Sequence, residues 1–224
     1  MLELRNISKK YGNVTILDNT NLSIQQGSTT AIIGASGTGK TTLLNIASLL
    51  DIPTSGEVYY FGEKISQENY TQNRKKFISF VYQQHNLMPE FTVLENISII
   101  AKMKEVYNEE FTLHLLKKIG IFEHKDKKPS ELSGGQKQRA SIVRAIACKP
   151  KILFADEPTG NLDPDSAEVS SNLLISLAVE QNIAVFLITH NMEIAKKCNQ
   201  ILQIHEYKLI DVNNEQQPRT ARRS

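Results

Sequence analysis

Residues 34–41 read GASGTGKT, directly after the apolar run TTAII and directly before TTLLNIASLL, whose apolar residues recur at helical spacing. The octapeptide fits G-x-x-x-x-G-K-[ST] in the one context where that pattern has a mechanism, a strand feeding a helix. Gly34, Gly37 and Gly39 remove Cβ atoms from the turn. The backbone N–H groups of Ala35, Ser36, Thr38 and the glycines are then free to point inward around phosphate oxygens. The helix that begins near Lys40, Thr41 and Thr42 adds its positive end to the same cradle. Lys40 is expected to reach the outer phosphates, and the Thr41 hydroxyl to ligate Mg²⁺. A chain built around strand, loop and helix in this order is committed to an α/β layout.

The remaining sequence extends that layout. LELRNI at the start alternates, NLSI follows a polar turn, and GEVYYFG and FISFVYQ also read as strands. From Phe91 to Lys149 the period becomes helical. Thr92 and Glu95 form a capping-box pattern ahead of Val93, Ile97 and Ile100, and Gly120 closes FTLHLLKKI. Strands return with KILFAD and IAVFLITH. Between them Asp163-Pro164 offers an N-cap and a first-turn proline for a helix carrying Val169, Leu173 and Leu177. The tail PRTARRS is polar, basic and expected to be loose. The expected division is an α/β core from residues 1–83 and 150–224, with a helical subdomain at 84–149.

A phosphate loop needs a second metal carboxylate, and KILFADEP supplies one. Four apolar residues, Ile152 to Ala155, read as a buried strand that delivers Asp156 at its end. Asp156 is expected to hold Mg²⁺ through water, and Glu157 to polarise an attacking water. Composition excludes other classes. A formal net charge of +2 over 224 residues gives no concentrated basic character for a nucleic-acid partner. The N-terminus has early charges and no apolar core, so no signal peptide is expected, and no run of about 18 apolar residues offers a membrane span. Cys148 and Cys198, the only cysteines, lack metal-type spacing and are expected to be reduced thiols.

ELSGGQKQR, residues 131–139, places two glycines behind a serine at a helix start. That makes a second anion site, without a lysine of its own. The phosphate loop, LSGGQ and ADEP together resemble the nucleotide-binding subunits of ABC transporters, over almost the whole chain. The resemblance implies an ABC ATPase core with an antiparallel β subdomain and an inserted α-helical subdomain. It implies a homodimer closing head to tail around two ATP with Mg²⁺, in which Ser133, Gly134, Gly135 and Gln136 complete the site on the partner's phosphate loop. It assigns Tyr11 to stacking on adenine and Gln83 to Mg²⁺ contact and to the hinge with the helical part. Asp163 falls at the dimer interface as well as capping its helix, and His190 contacts the γ-phosphate. Of the other histidines, His85, His114, His124 and His205 are expected on the surface.

Within that family, PTGNLD, LDIPTSGEV and NLMPEFTVLENI resemble the branch of lipoprotein-releasing, macrolide-export, antimicrobial-peptide-export and cell-division ATPases. There the ATPase sits on the cytoplasmic face of the inner membrane, held by a separate polytopic permease subunit. Two other classes stand beside this reading. A soluble ABC ATPase of translation or DNA repair needs a second cassette or a coiled coil, and the short interval from Gln83 to Ser133 has no room for the latter. A regulatory module that binds ATP without turnover is opposed by an intact Glu157 and His190.

Overall fold

The structure, a computed structural model, describes residues 1–212. The expected loose tail, residues 218–224, lies outside them. The chain opens with β1 (Leu2–Tyr11) and β2 (Val14–Ile24), a hairpin whose turn carries Gly12 at φ +58. It continues through β3 (Thr29–Ile33), α1 (Lys40–Ala47), β4 (Ser55–Tyr60), β5 (Glu63–Lys64), α2 (Tyr70–Phe77) and β6 (Ile78–Tyr82). A helical stretch follows with α3 (Val93–Met103), α4 (Glu109–Lys118) and α5 (Gly134–Ala147). The chain then returns to β7 (Ile152–Asp156), α6 (Pro164–Glu180), β8 (Ala184–Ile188), α7 (Met192–Ala195), β9 (Gln200–His205) and β10 (Lys208–Asp211).

Two sheets result. The antiparallel one has the order β2-β1-β4-β5, and the other has the order β10-β9-β3-β8-β7-β6. All neighbours in the second sheet are parallel except β10 against β9. Its central strands are covered on both faces, which is why they read as continuous apolar runs rather than alternating ones. Ile152 and Phe154 of β7 join Leu43, Leu44 and Ile46 of α1 and Leu2, Leu4 and Ile7 of β1 in one core. Leu153 and Ala155 point the other way, toward Ile142 and Ile146 of α5 and Leu174 and Leu177 of α6. Helix α1 therefore runs between the two sheets. Phe154→Ala would open a cavity in that layer at a cost of about 3–5 kcal/mol.

Local signals explain the helix ends. The Thr92 hydroxyl accepts from Glu95 N, and the Glu95 carboxylate accepts from Thr92 N, which is the expected capping box. Asp163 caps α6 by accepting from Ser166 N at 2.9 Å, with Pro164 in the first turn. Gly120 stands at φ +69 just past α4. Cys148 and Cys198 are free and buried.

Helix α6 carries Val169, Leu173 and Leu177 as expected; it buries Ala167, Ser170, Ser171, Leu174, Leu177 and Ala178, while Val169 is exposed. Some expectations need correction. His85 and His124 are half-buried against α5 rather than on the surface, whereas His114 and His205 are exposed. The histidine at 190 lies two residues past the end of β8. Helix α2 and the strands β5, β9 and β10 carry no signal that the sequence reading used. Among the described residues no helix is long and apolar enough to cross a membrane.

Candidate functional site

Register builds the site. Ile32 pairs with Ile188, Ile188 with Asp156, and Asp156 with Tyr82. The segments that leave β3, β8, β7 and β6 therefore emerge side by side at the carboxyl edge of the sheet, with neighbouring strands about 4.8 Å apart. They carry, in that spatial order, the 34–41 loop, His190, Asp156 with Glu157, and Gln83.

The loop itself needs its glycines. Gly39 lies at φ +100, and a Cβ there would stand 2.9 Å from Ile16 Cγ2, so no other residue fits. Gly34 and Gly37 also take positive φ, and the Thr38 hydroxyl donates to Ala35 O at 3.0 Å. Lys40 is buried and turned back over the loop, its ammonium donating to Gly34 O at 2.8 Å and to Ala35 O at 2.7 Å. Burial pushes its pKa down, against the pull of Glu157 and Asp156. A phosphate entering the loop supplies the counter-charge that the two carbonyls only approximate. Ser36, Gly37, Gly39, Lys40, Thr41, Thr42 and Glu157 line a cavity of about 270 Å³.

Thr41 Oγ1 lies 3.5 Å from Asp156 Oδ2. Burial pushes the Asp156 carboxyl above its ordinary range, and the neighbouring Glu157 charge adds to this. Among the described residues no cluster of three or more His, Cys, Asp or Glu is arranged to hold a metal. Thr41 and Asp156 nevertheless fit Mg²⁺, which is held by one or two protein oxygens with phosphate oxygens and water completing its octahedron. Glu157 sits at φ +46, a left-handed conformation costing about 1–3 kcal/mol in a non-glycine residue. Its N–H donates to Ile188 O at 3.0 Å, and its Oε1 lies 2.5 Å from His190 Nε2. Both side chains keep access to solvent, 28% for Glu157 and 45% for His190.

Two expected residues stand apart from this cluster. The Gln83 amide donates to Asn161 Oδ1 at 2.9 Å and packs against Gly160, where an added Cβ would stand 2.8 Å from Gln83 Nε2. Gln83 is thus held by the 160–161 turn rather than by the phosphate loop, while Gln84 is exposed. Asn161 gave no sequence signal beyond its place in NLD. Tyr11, half exposed at the end of β1, bonds to Asp51 and lies near Thr42 of α1.

The 133–136 segment forms a second, separate feature. Ser133 is the N-cap of α5, its hydroxyl accepting from Gln136 N at 3.3 Å, while Gln136 Oε1 accepts from Ser133 N at 2.9 Å. Gln136 Nε2 also meets His124 Nε2 at 2.8 Å. Gly134 and Gly135 allow close approach to the start of α6: added Cβ atoms would stand 3.3 Å from Leu162 Cδ2 and 3.3 Å from Ser166 Oγ. Gly135 lines a cavity with Arg139, Asp165 and Ser166 that shares no residue with the one around Lys40. The 34–41 loop and the 133–136 segment thus line separate cavities of one chain.

Comparison with known proteins agrees with this layout. The family model described as ABC transporter matches residues 17–160, which hold the 34–41 loop, the 133–136 segment and Asp156-Glu157. The lipoprotein-releasing system ATP-binding protein LolD of Rickettsia conorii is 41% identical over 219 residues, 95% of this chain and 98% of that protein. LolD of Francisella tularensis subsp. holarctica is 39% identical over 222 residues, covering 94% of each. Among solved structures, a dimeric ATP-binding cassette in a post-hydrolysis state with ADP and Pi is 36% identical at TM-score 0.80, over 93% of this chain and 96% of that one. A Clostridium perfringens cassette that is part of an ABC transporter complex is 27% identical at TM-score 0.83, over 93% and 86% of the two chains. With one phosphate loop, one strand-end Asp-Glu pair and a family model spanning both, the chain belongs to the ABC transporter family.

Proposed function

We propose that this chain is the ATP-binding and ATP-hydrolysing subunit of a lipoprotein-releasing transporter. The observation that carries the reading is the convergence of Lys40, Thr41, Asp156, Glu157 and His190 on one sheet edge, with Gly135 of the 133–136 segment lining a separate cavity. Two subunits then close head to tail around two ATP, each 133–136 segment meeting the phosphates held by the other's loop. The division into a core of residues 1–83 and 150–224 and a helical part of residues 84–149 belongs to the same proposal.

Each residue has a distinct task. The N–H groups of residues 34–42 and the Lys40 ammonium bind the phosphates, and Tyr11 stacks on adenine. Thr41, Asp156 and Gln83 would hold Mg²⁺. Mg²⁺, when bound, offsets phosphate charge during phosphoryl transfer. Glu157 takes a proton from the attacking water, and His190 contacts the γ-phosphate and steadies Glu157. Ser133 and the N-terminal N–H groups of the partner's α5 stabilise charge on the transferring group. Asp163 lies at the subunit boundary. Water cleaves the β–γ phosphoanhydride and leaves ADP and phosphate as two separate anions, and their repulsion reopens the dimer. The chain sits on the cytoplasmic face of the inner membrane, held by a separate membrane-spanning partner that turns this opening and closing into work on lipoprotein.

The test is a pair of measurements. ATPase activity of the isolated chain should rise more than linearly with its concentration. The chain should also copurify with a polytopic membrane protein whose removal stops lipoprotein release. Linear activity in a strictly monomeric protein would overturn the shared-site reading, and a soluble sole partner would overturn the transporter.

A further inference from the structure

We propose that Asp51 is a positioning residue for the nucleobase, fixing the Tyr11 ring and tying it to the helix that begins at Lys40. This rests on Tyr11 being the base platform of the proposed function. The observation is a set of hydrogen bonds that the adenine reading does not use. The Tyr11 phenol donates to Asp51 Oδ2 at 2.8 Å, and the Lys9 ammonium donates to Asp51 Oδ1 at 2.7 Å and to Ile52 O at 2.6 Å. The same ammonium lies over the Tyr11 ring, 4.9 Å from its centroid. With Lys9 on one face and the phenol end pinned, a base has one ring face left to stack on.

Asp51 is itself held from behind. Its N–H donates to Asn45 O at 3.0 Å, as does that of Leu50 at 2.7 Å, so its backbone is fixed to the last turn of α1. Its Oδ1 also accepts from Ile52 N at 2.7 Å. Burial pushes its carboxyl up, but the bonds from Lys9 and Tyr11 outweigh this and hold it below its ordinary range, so it is ionised at neutral pH. Thr54 secures the same loop to β1, donating its N–H to Ser8 O at 2.8 Å and accepting from Lys10 N at 3.0 Å. The path from Lys40 through α1 and Asn45 to Asp51 and Tyr11 is thus continuous. It sets the distance between the phosphate cradle and the base platform before any nucleotide arrives, and this lowers the ordering cost of binding. The LDIPTSGEV stretch, residues 50–58, contains this clamp.

The experiment compares two ligands by calorimetry on the full chain: a non-hydrolysable ATP analogue and tripolyphosphate, both with Mg²⁺. The first has a base and the second does not. Asp51→Asn and Tyr11→Phe should each weaken the ATP analogue roughly fivefold and leave tripolyphosphate within about twofold. The double variant should be no worse than either single one, because both act through the same bond. Equal losses for both ligands, or additive losses in the double variant, would overturn the assignment. Tyr11→Ala separates the two layers. If it weakens only the ATP analogue while Asp51→Asn binds like the parent, Asp51 alone loses its role. If Tyr11→Ala leaves the ATP analogue unaffected, the base platform fails and Asp51's task falls with it.

Discussion

Glu157 Oε1 and His190 Nε2 stand 2.5 Å apart, joining the segments that leave the neighbouring strands β7 and β8. Under the proposed mechanism a γ-phosphate and its attacking water enter the space beside this pair, so binding loosens it and redirects both side chains toward the new oxygens. Glu157, left-handed at φ +46, lines the same cavity as Lys40 and Thr41.

Glu157→Gln should therefore preserve nucleotide binding and stop turnover. It removes a proton acceptor but no charge that holds metal or phosphate. Turnover should fall by roughly 10²–10⁴-fold, the usual range for losing a general base. The variant should also accumulate as a closed dimer with ATP, seen by size-exclusion chromatography. A change in the ATP dissociation constant as large as the change in turnover would contradict the assignment.

Asp156 behaves oppositely. Burial and the nearby Glu157 charge raise its folded pKa above its ordinary value. The folded chain then binds this proton more tightly than the unfolded chain. Between the ordinary and the raised pKa, stability falls as pH rises, and at neutral pH the ionised carboxylate is a cost. Without metal, Asp156→Asn should raise the melting temperature at pH 7 and flatten its decline from acid pH. Mg²⁺ with ATP should reverse the order, stabilising the parent and not the variant. Thermal scans across pH with and without Mg-ATP check both signs.

How much of this was legible beforehand depends on whether a feature is local. The 34–41 loop, the Thr92–Glu95 box and the Asp163 cap are each set by residues within a few positions, and the structure forms all three as read. The β3-β8-β7-β6 order is not local, since it is fixed by which apolar faces meet around α1. For the same reason the Gln83–Asn161 bond, spanning two elements far apart in sequence, carried no signal in either segment. His85 and His124 were misplaced because a polar letter says nothing of the helix that packs over it.

Asp163 carries two tasks that substitution can separate. Its carboxylate caps α6 through Ser166 N, and Ser166 in turn faces Gly135. Asp163→Ala should lower stability, and Asp163→Ser should recover most of the loss, because serine caps nearly as well. A charge needed at the subunit boundary is recovered by neither. Denaturant titration should rank the parent and Ser variant above Ala, while ATPase assays should find Ser and Ala equally impaired. Full activity in Asp163→Ser would leave the residue with its cap alone.

The sharpest prediction concerns Gly135. A Cβ at this position meets Ser166 Oγ at 3.3 Å, a contact that a small side-chain shift relieves, so Gly135→Ala should fold and serve as the steric control. Gly135→Asp adds a carboxylate where the partner's phosphates are proposed to lie. Like charges about 4 Å apart repel by roughly 4 kcal/mol at an effective dielectric near 20, enough to abolish closure. Because the cavity around Lys40 shares no residue with the one that Gly135 lines, Gly135→Asp should bind one ATP per chain with near-parental affinity while losing both dimerisation and turnover. Lys40→Ala should lose nucleotide binding instead. Mixing the two variants leaves one intact composite site per heterodimer: the Lys40 loop of the first chain facing the unaltered Gly135 of the second. That mixture should form ATP-dependent dimers that neither variant forms alone, and partial turnover should return if one filled site suffices. Dimers are measured by analytical ultracentrifugation and turnover by phosphate release. Normal hydrolysis by monomeric Gly135→Asp at low concentration would mean that the 133–136 segment serves its own chain.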